Sequence, residues 1–258
     1  MKKMLLTLPI IALLITGQVL ADASGKGYEI AKRANETYNG YGDSQSRLRM
    51  LLSNKSGDVA ERKLSMSMME QEGGELSLIV FETPQDVKNT SLLTNSSSGK
   101  DKQWLYLPIL KRVKRISGAK KSSAFLGSEF SYEDFSSMDV DKYRYEYIQE
   151  EVLEGHQVYA VNRYPIDVNS RYQKQIVWYD VDSYLPLKIE FYDQKDWLIK
   201  TLTFSDYQAY LNKKIWRAKK MSMKNLVTGK STTLVLDGIE FNTGLRKGDF
   251  HPQRLKVK

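Results

Sequence analysis

The spacing of apolar positions changes along the chain, and the change predicts its elements. From Tyr28 to Tyr38 they recur every three or four residues (Tyr28, Ala31, Ala34, Tyr38), with Lys32, Arg33 and Glu36 elsewhere. That spacing predicts a helix, ended by Asn39-Gly40. Beyond it the period is two. Leu48, Met50 and Leu52 alternate along one segment, Leu64, Met66 and Met68 along the next, and Tyr143, Tyr145 and Tyr147 along a later one. Alternation of this kind describes half-buried antiparallel strands. Leu76 to Phe81 is a nearly continuous apolar strand closed by Pro84, and Ser91 to Thr94 is another.

Further strands are predicted at Val158 to Asn162, Gln173 to Tyr179, Leu187 to Phe191, Leu198 to Tyr207, Ile215 to Met223 and Thr232 to Ile239. Asp182-Ser183, Asn212 and Thr228-Gly229 mark turns between them. So many short strands with few crossover helices predict a mainly β (α+β) fold: a strongly curved antiparallel sheet or incomplete barrel. The first helix and short helical pieces between Ala119 and Phe135 are expected to cover its open side. Asn95 to Lys102 reads as a polar loop.

The stretch from Trp104 to Phe135 is the most unusual. Trp104, Leu105, Tyr106 and Leu107 stop at Pro108, and Lys111, Arg112, Lys114 and Arg115 follow as a basic strand. An aromatic segment with Phe125, Leu126 and Phe130 comes next. Apolar surface beside a dense positive edge suits an amphiphilic ligand with an anionic or polar head. Trp104, Tyr106, Leu107, Phe125, Leu126, Phe130, Met66 and Met68 are therefore candidates for an apolar cavity and its lid. Lys111, Arg112, Lys114 and Arg115 are candidates for contact with a head group or a partner. Methionine would make such a lining adaptable.

Composition narrows the setting. The 258 residues suffice for a sizeable core, and 27% charged with 41% hydrophobic residues is ordinary for a folded protein. Lys2 and Lys3, the apolar run from Met4 to Leu20, and small residues before a polar Asp22 predict a cleaved signal peptide over residues 1–21. Residues 22–258 would form one exported domain. There is no cysteine, hence neither a disulfide framework nor a lipidated cysteine. Removing Lys2 and Lys3 lowers the net charge from +8 to +6. In an exported protein this excess either suits anionic membrane surfaces or lipid head groups, rather than nucleic acid, or serves solubility alone.

Catalytic alternatives are few. His156 and His251 are the only histidines, with no metal-ligand spacing and poor placement for a Ser-His-Asp site. Glu129, Glu133, Asp134 and Asp139 form an acidic cluster that could supply a general acid and base, as in a glycoside hydrolase. Partnership with the nearby basic run is the simpler reading. No cofactor, metal or catalytic residue is assigned.

LPILKRVKRIS (Leu107 to Ser117) followed by FLGSEFSYED (Phe125 to Asp134) resembles the signature of the outer-membrane lipoprotein-sorting protein family, a LolA-like group. The resemblance continues in FETPQDVKNTSLL (Phe81 to Leu93), YLPLKIEFYD (Tyr184 to Asp193) and the run from Lys200 to Leu234. It implies an unclosed β-barrel with helices over its mouth, enclosing an apolar cavity for the acyl chains of a lipoprotein or lipid. It further implies a periplasmic carrier, an RND-type (MmpL-like) inner-membrane transporter as partner, and an outer-membrane acceptor. An open apolar cavity would favour such a carrier. A cavity packed with side chains would favour an accessory subunit of the transporter without cargo of its own.

Overall fold

A computed structural model describes residues 14–97, 100–137 and 139–256. The signal peptide expected over residues 1–21 falls largely outside them. From Leu14 the chain is helical as far as Tyr38 (α1), so the helix starts earlier than the expected Tyr28. No proline interrupts it. Gly27, a poor helix former, sits where a Cβ would come within 2.8 Å of the Tyr147 backbone nitrogen. The glycine lets α1 lie directly against the sheet.

Among the described residues thirteen strands follow: β1 (Asp43–Ser53), β2 (Val59–Gln71), β3 (Gly74–Thr83), β4 (Ser91–Ser97), β5 (Lys100–Leu107), β6 (Arg112–Ile116) and β7 (Tyr143–Leu153). Then come β8 (His156–Pro165), β9 (Tyr172–Asp180), β10 (Pro186–Asp193), β11 (Leu198–Tyr210), β12 (Ile215–Asn225) and β13 (Ser231–Phe241). They form one antiparallel sheet, ordered β6-β5-β4-β3-β2-β1-β13-β12-β11-β10-β9-β8-β7. Pairing of β1 with β13, as in Met50 opposite Leu234, joins two meanders into one sheet. Its outer edges, β6 and β7, are consecutive in the chain but do not pair, so the curved sheet is an unclosed barrel. Register shifts at Arg47/Leu48 and Tyr147/Gln149 add local twist.

Alternation puts Leu48, Met50, Leu64, Phe81, Val177 and Leu234 on the concave face, in the largest apolar cluster. Ala31 and Ala34 of α1, on the face foreseen from their spacing, pack into it together with Ile30. Strand β3 is buried on both faces. Ile79 and Phe81 join the concave cluster, whereas Leu76, Leu78 and Val80 pack beneath Phe250 and Leu255 of the C-terminal tail on the convex face. This explains why Leu76 to Phe81 does not alternate.

The polar loop expected at Asn95 to Lys102 is shorter than predicted. Asn95 pairs with Lys102 and Ser96 with Asp101 across β4 and β5. Ser96 is buried, and its Oγ donates to Asp101 at 2.5 Å. A side-chain bond between directly opposed residues of two strands lets a polar stretch join the sheet.

Candidate functional site

Because β6 and β7 lie at opposite edges, residues 117–142 must cross the open side of the sheet, and they do so over its concave face. This crossing carries short 3-10 turns at Gly118–Ser122, Tyr132–Phe135 and Val140–Lys142 and a tight loop closed by the Ala124–Ser131 bridge. It acts as a plug. Phe125 is fully buried, 5.6 Å from the Phe81 ring and 4.7 Å from that of Phe135. Phe130 and Tyr132 fill the space beside it.

Polar pins hold the plug's irregular backbone, whose peptide groups have no ladder to join. Gln103 Nε2 donates to the Tyr132 carbonyl at 2.8 Å, Arg62 Nη1 to that of Leu126 at 2.7 Å, and Lys200 Nζ to that of Glu129 at 2.5 Å. Burial lowers the Lys200 pKa from the usual lysine range. Gln103 Oε1 is buried with no partner among the described residues. Arg163, also buried, donates to Gln175 Oε1 at 2.6 Å and lies 4.7 Å from the Tyr143 ring centre.

The acidic cluster fastens the same plug. Asp134 accepts from Ser131 N and Oγ, both at 2.7 Å, and from the Tyr172 hydroxyl. Glu133 accepts from Ser170 Oγ at 2.8 Å and from Arg171 N at 3.2 Å. Burial, and then the neighbouring Asp134 charge, push the Glu133 pKa up to about 7. Glu129 accepts from Asn225 Nδ2 at 2.7 Å, and Asp139 from the Asp141 backbone. The basic run, expected to partner these acids, takes no part in those bonds. His156 lies at the surface, 3.5 Å from Asp180, and His251 is exposed. No His, Asp or Glu group suited to a metal ion occurs among the described residues.

The sequence-derived cavity residues divide between two faces. Leu107, Leu126, Met66, Phe125 and Phe130 meet in the concave cluster, and Met68 lies beside it with Tyr41 and Ile215. Trp104 and Tyr106 point the other way, into the convex cluster. Alternation along β5 requires this separation from Leu105 and Leu107. Lys111, Arg112, Lys114 and Arg115 are exposed along the β5–β6 hairpin.

Two hollows remain. The larger, about 950 Å³, lies on the convex side between the sheet and residues 243–256, lined by Ser67, Leu78, Val80, Glu82, Phe250 and Leu255 among others. Only isolated apolar residues in a polar tail hinted at this cover. A smaller hollow of about 310 Å³ opens at the plug's rim, between Gly127, Glu129, Leu52 and Thr232.

A family model described as "Uncharacterized protein" matches residues 73–257. A Vibrio parahaemolyticus structure described as an outer membrane lipoprotein-sorting protein domain is 46% identical, with a TM-score of 0.87 over 90% of this chain and 99% of that one. A DUF1329 family protein from Desulfovibrio piger is 31% identical, with a TM-score of 0.85 and the same coverage. A LolA superfamily protein from Nitrosomonas europaea, 17% identical with a TM-score of 0.71 over 87% of this chain and 97% of that one, shares the fold. No curated protein matches the chain. By its close relatives, the chain belongs to the outer membrane lipoprotein-sorting protein family, with a LolA-like fold.

Proposed function

We propose that the protein is a non-enzymatic periplasmic carrier. It takes the acyl chains of a lipoprotein or lipid onto the concave face and moves them from an RND-type transporter toward an outer-membrane acceptor. The observation that carries this reading is the plug, a non-strand aromatic segment filling the face of an open sheet. Phe125, Phe130 and Leu126 offer the sheet the kind of apolar contact that an acyl chain would offer. Cargo would enter by displacing them.

Displacement also accounts for release. Each buried methylene contributes about 0.8 kcal/mol, so two or three long acyl chains alone would bind too tightly to hand over. A plug that reseals the face competes with the cargo and lowers its net affinity. The acids that could have served catalysis are engaged in holding the plug.

A second reading has its own observation. The concave face is filled, as expected of an accessory transporter subunit without cargo. A disulfide lock separates the two readings. Glu129 N lies 3.0 Å from Thr232 Oγ1, and the chain has no cysteine to interfere. In the Glu129→Cys/Thr232→Cys variant, oxidation should cut binding of a triacylated peptide or phospholipid at least about tenfold, and reductant should restore it. Native mass spectrometry reads both states. Binding unaffected by the lock would remove the concave face as the site. Absence of binding in the unlocked protein would favour the accessory subunit.

A further inference from the structure

Antiparallel pairing sorts the turns into two sets. Those after β1, β3, β5, β8, β10 and β12 lie at one end of the strands, and those after β2, β4, β7, β9 and β11 at the other. Large apolar side chains project into solvent at the first end. Ile109 and Leu110 cap the β5–β6 turn, Ile166 and Val168 the β8–β9 turn, Trp197 the β10–β11 turn and Val227 the β12–β13 turn. Ile109 is 91% and Val168 94% exposed, so neither contributes to the core. Turns ordinarily favour Gly, Asn, Asp or Ser. At the opposite end Glu72-Gly73, Glu154-Gly155 and Asp182-Ser183 follow that habit, and Val152 is the similarly exposed large apolar residue among those described.

Charge separates the ends further. Lys111, Arg112, Lys114 and Arg115 flank the Ile109-Leu110 tip, and none has an ion-pair partner among the described residues. Acids at this end are mostly engaged nearby: Asp167 with Lys121 at 3.2 Å, Asp196 with Lys174 at 2.8 Å, and Asp58 with Asn54. Asp193 accepts from backbone nitrogens of its own turn, and Asp86 faces Arg62 electrostatically. Hydrogen bonds to neutral groups leave Asp58 and Asp193 charged, but Lys55, Lys88, Lys195 and Lys230 on the same turns balance Asp58, Glu82, Asp86 and Asp193, so the four cations of the hairpin remain in excess.

We propose that this end docks on an anionic lipid bilayer, with the tip side chains in the boundary between head groups and acyl chains. Single apolar side chains on separate turns suit insertion into a fluid interface, whereas a protein interface needs a contiguous, close-packed centre. Trp197 is the residue type that bilayer interfaces favour, and lysine and arginine beside it meet anionic head groups. The hollow at the plug's rim lies between turns of this same end, so docking would turn the plug toward the bilayer. The surface exists whether or not the concave face carries cargo.

Sedimentation of the mature chain with empty vesicles tests the proposal. Phosphatidylcholine containing about one-third phosphatidylglycerol should retain it at least about tenfold better than phosphatidylcholine alone, and high salt should abolish the difference. Val168→Ser/Trp197→Ser should lower binding about tenfold, and replacing Lys111, Arg112, Lys114 and Arg115 by Gln should remove the preference for the anionic lipid. Val152→Ser, at the other end, should bind as the parent does. All these positions are partly or fully exposed, and circular dichroism would verify folding. Failure of the parent to bind vesicles would overturn the proposal and leave the tips to a protein partner. So would an equal loss in the Val152 variant.

Discussion

The segment over the concave face and the segment over the convex face differ in how they are held. The plug at 117–142 is fastened by donors from several strands, among them the buried Gln103 and Lys200 and the half-buried Arg62. The tail at 243–256 is tied at its start, where Asp43 accepts from Thr243 N and Oγ1, but beyond that it touches the sheet through Leu245, Phe250 and Leu255 and stands off over a cleft of about 950 Å³. A cover pinned at several points can open only by breaking those bonds together. The tail needs no such step to admit solvent. The two-state opening that the proposed carrier needs is therefore better supported by the concave side.

Cavity formation should break the comparison most strongly. Phe125→Ala is expected to lose about 3–5 kcal/mol, since its tightly packed surroundings cannot collapse around the void. Phe250→Ala, beside an existing cleft, should lose about 2 kcal/mol. Urea unfolding measures both, and equal losses would mean that the two covers are equivalent.

Protonation gives an intermediate effect. With its pKa at about 7 in the folded state against an ordinary carboxyl value unfolded, Glu133 binds more proton in the native form between those values. Its contribution to stability therefore falls as pH rises from about 4.5 to 7, and ionisation is a standing cost above that. Glu133→Gln cannot ionise. The stability of the parent minus that of this variant should drop by about 1–2 kcal/mol between pH 5 and 8, allowing for partial exposure. A flat difference would show that the plug's carboxylate is not desolvated as its surroundings imply.

The smallest effect belongs to the tail. Asp249 and Arg254 are ion-paired at 2.9 Å with Arg254 well exposed. Arg254→Ala should change stability by less than about 0.5 kcal/mol, measured as an unchanged melting temperature. A larger loss would make the tail a pinned cover like the plug.

Much of this was legible in the chain, and particular residues show why. Period-two segments such as Leu64-Met66-Met68 and Tyr143-Tyr145-Tyr147 became strands, and Ala31 and Ala34 became the buried face of α1. Joining Trp104 and Tyr106 with Leu107 in one cavity neglected alternation, which sends them to opposite faces. Ser96 and Asp101 read as loop because composition does not show a hydrogen bond made only after two strands meet.

The amino-acid order alone determined what repeats locally: strand spacing, the helix face, the turns and the basic run at Lys111 to Arg115. Each follows from steric and solvation preferences acting within a few residues. Tertiary structure decided the pairing of β1 with β13, the crossing of 117–142 over the concave face, and the gathering of Ile109, Val168, Trp197 and Val227 at one end. These join residues far apart in the chain, and long-range pairing leaves no periodic trace. Only a sheet that curves without closing provides both a face for the chain to cross and a rim on which its turns collect.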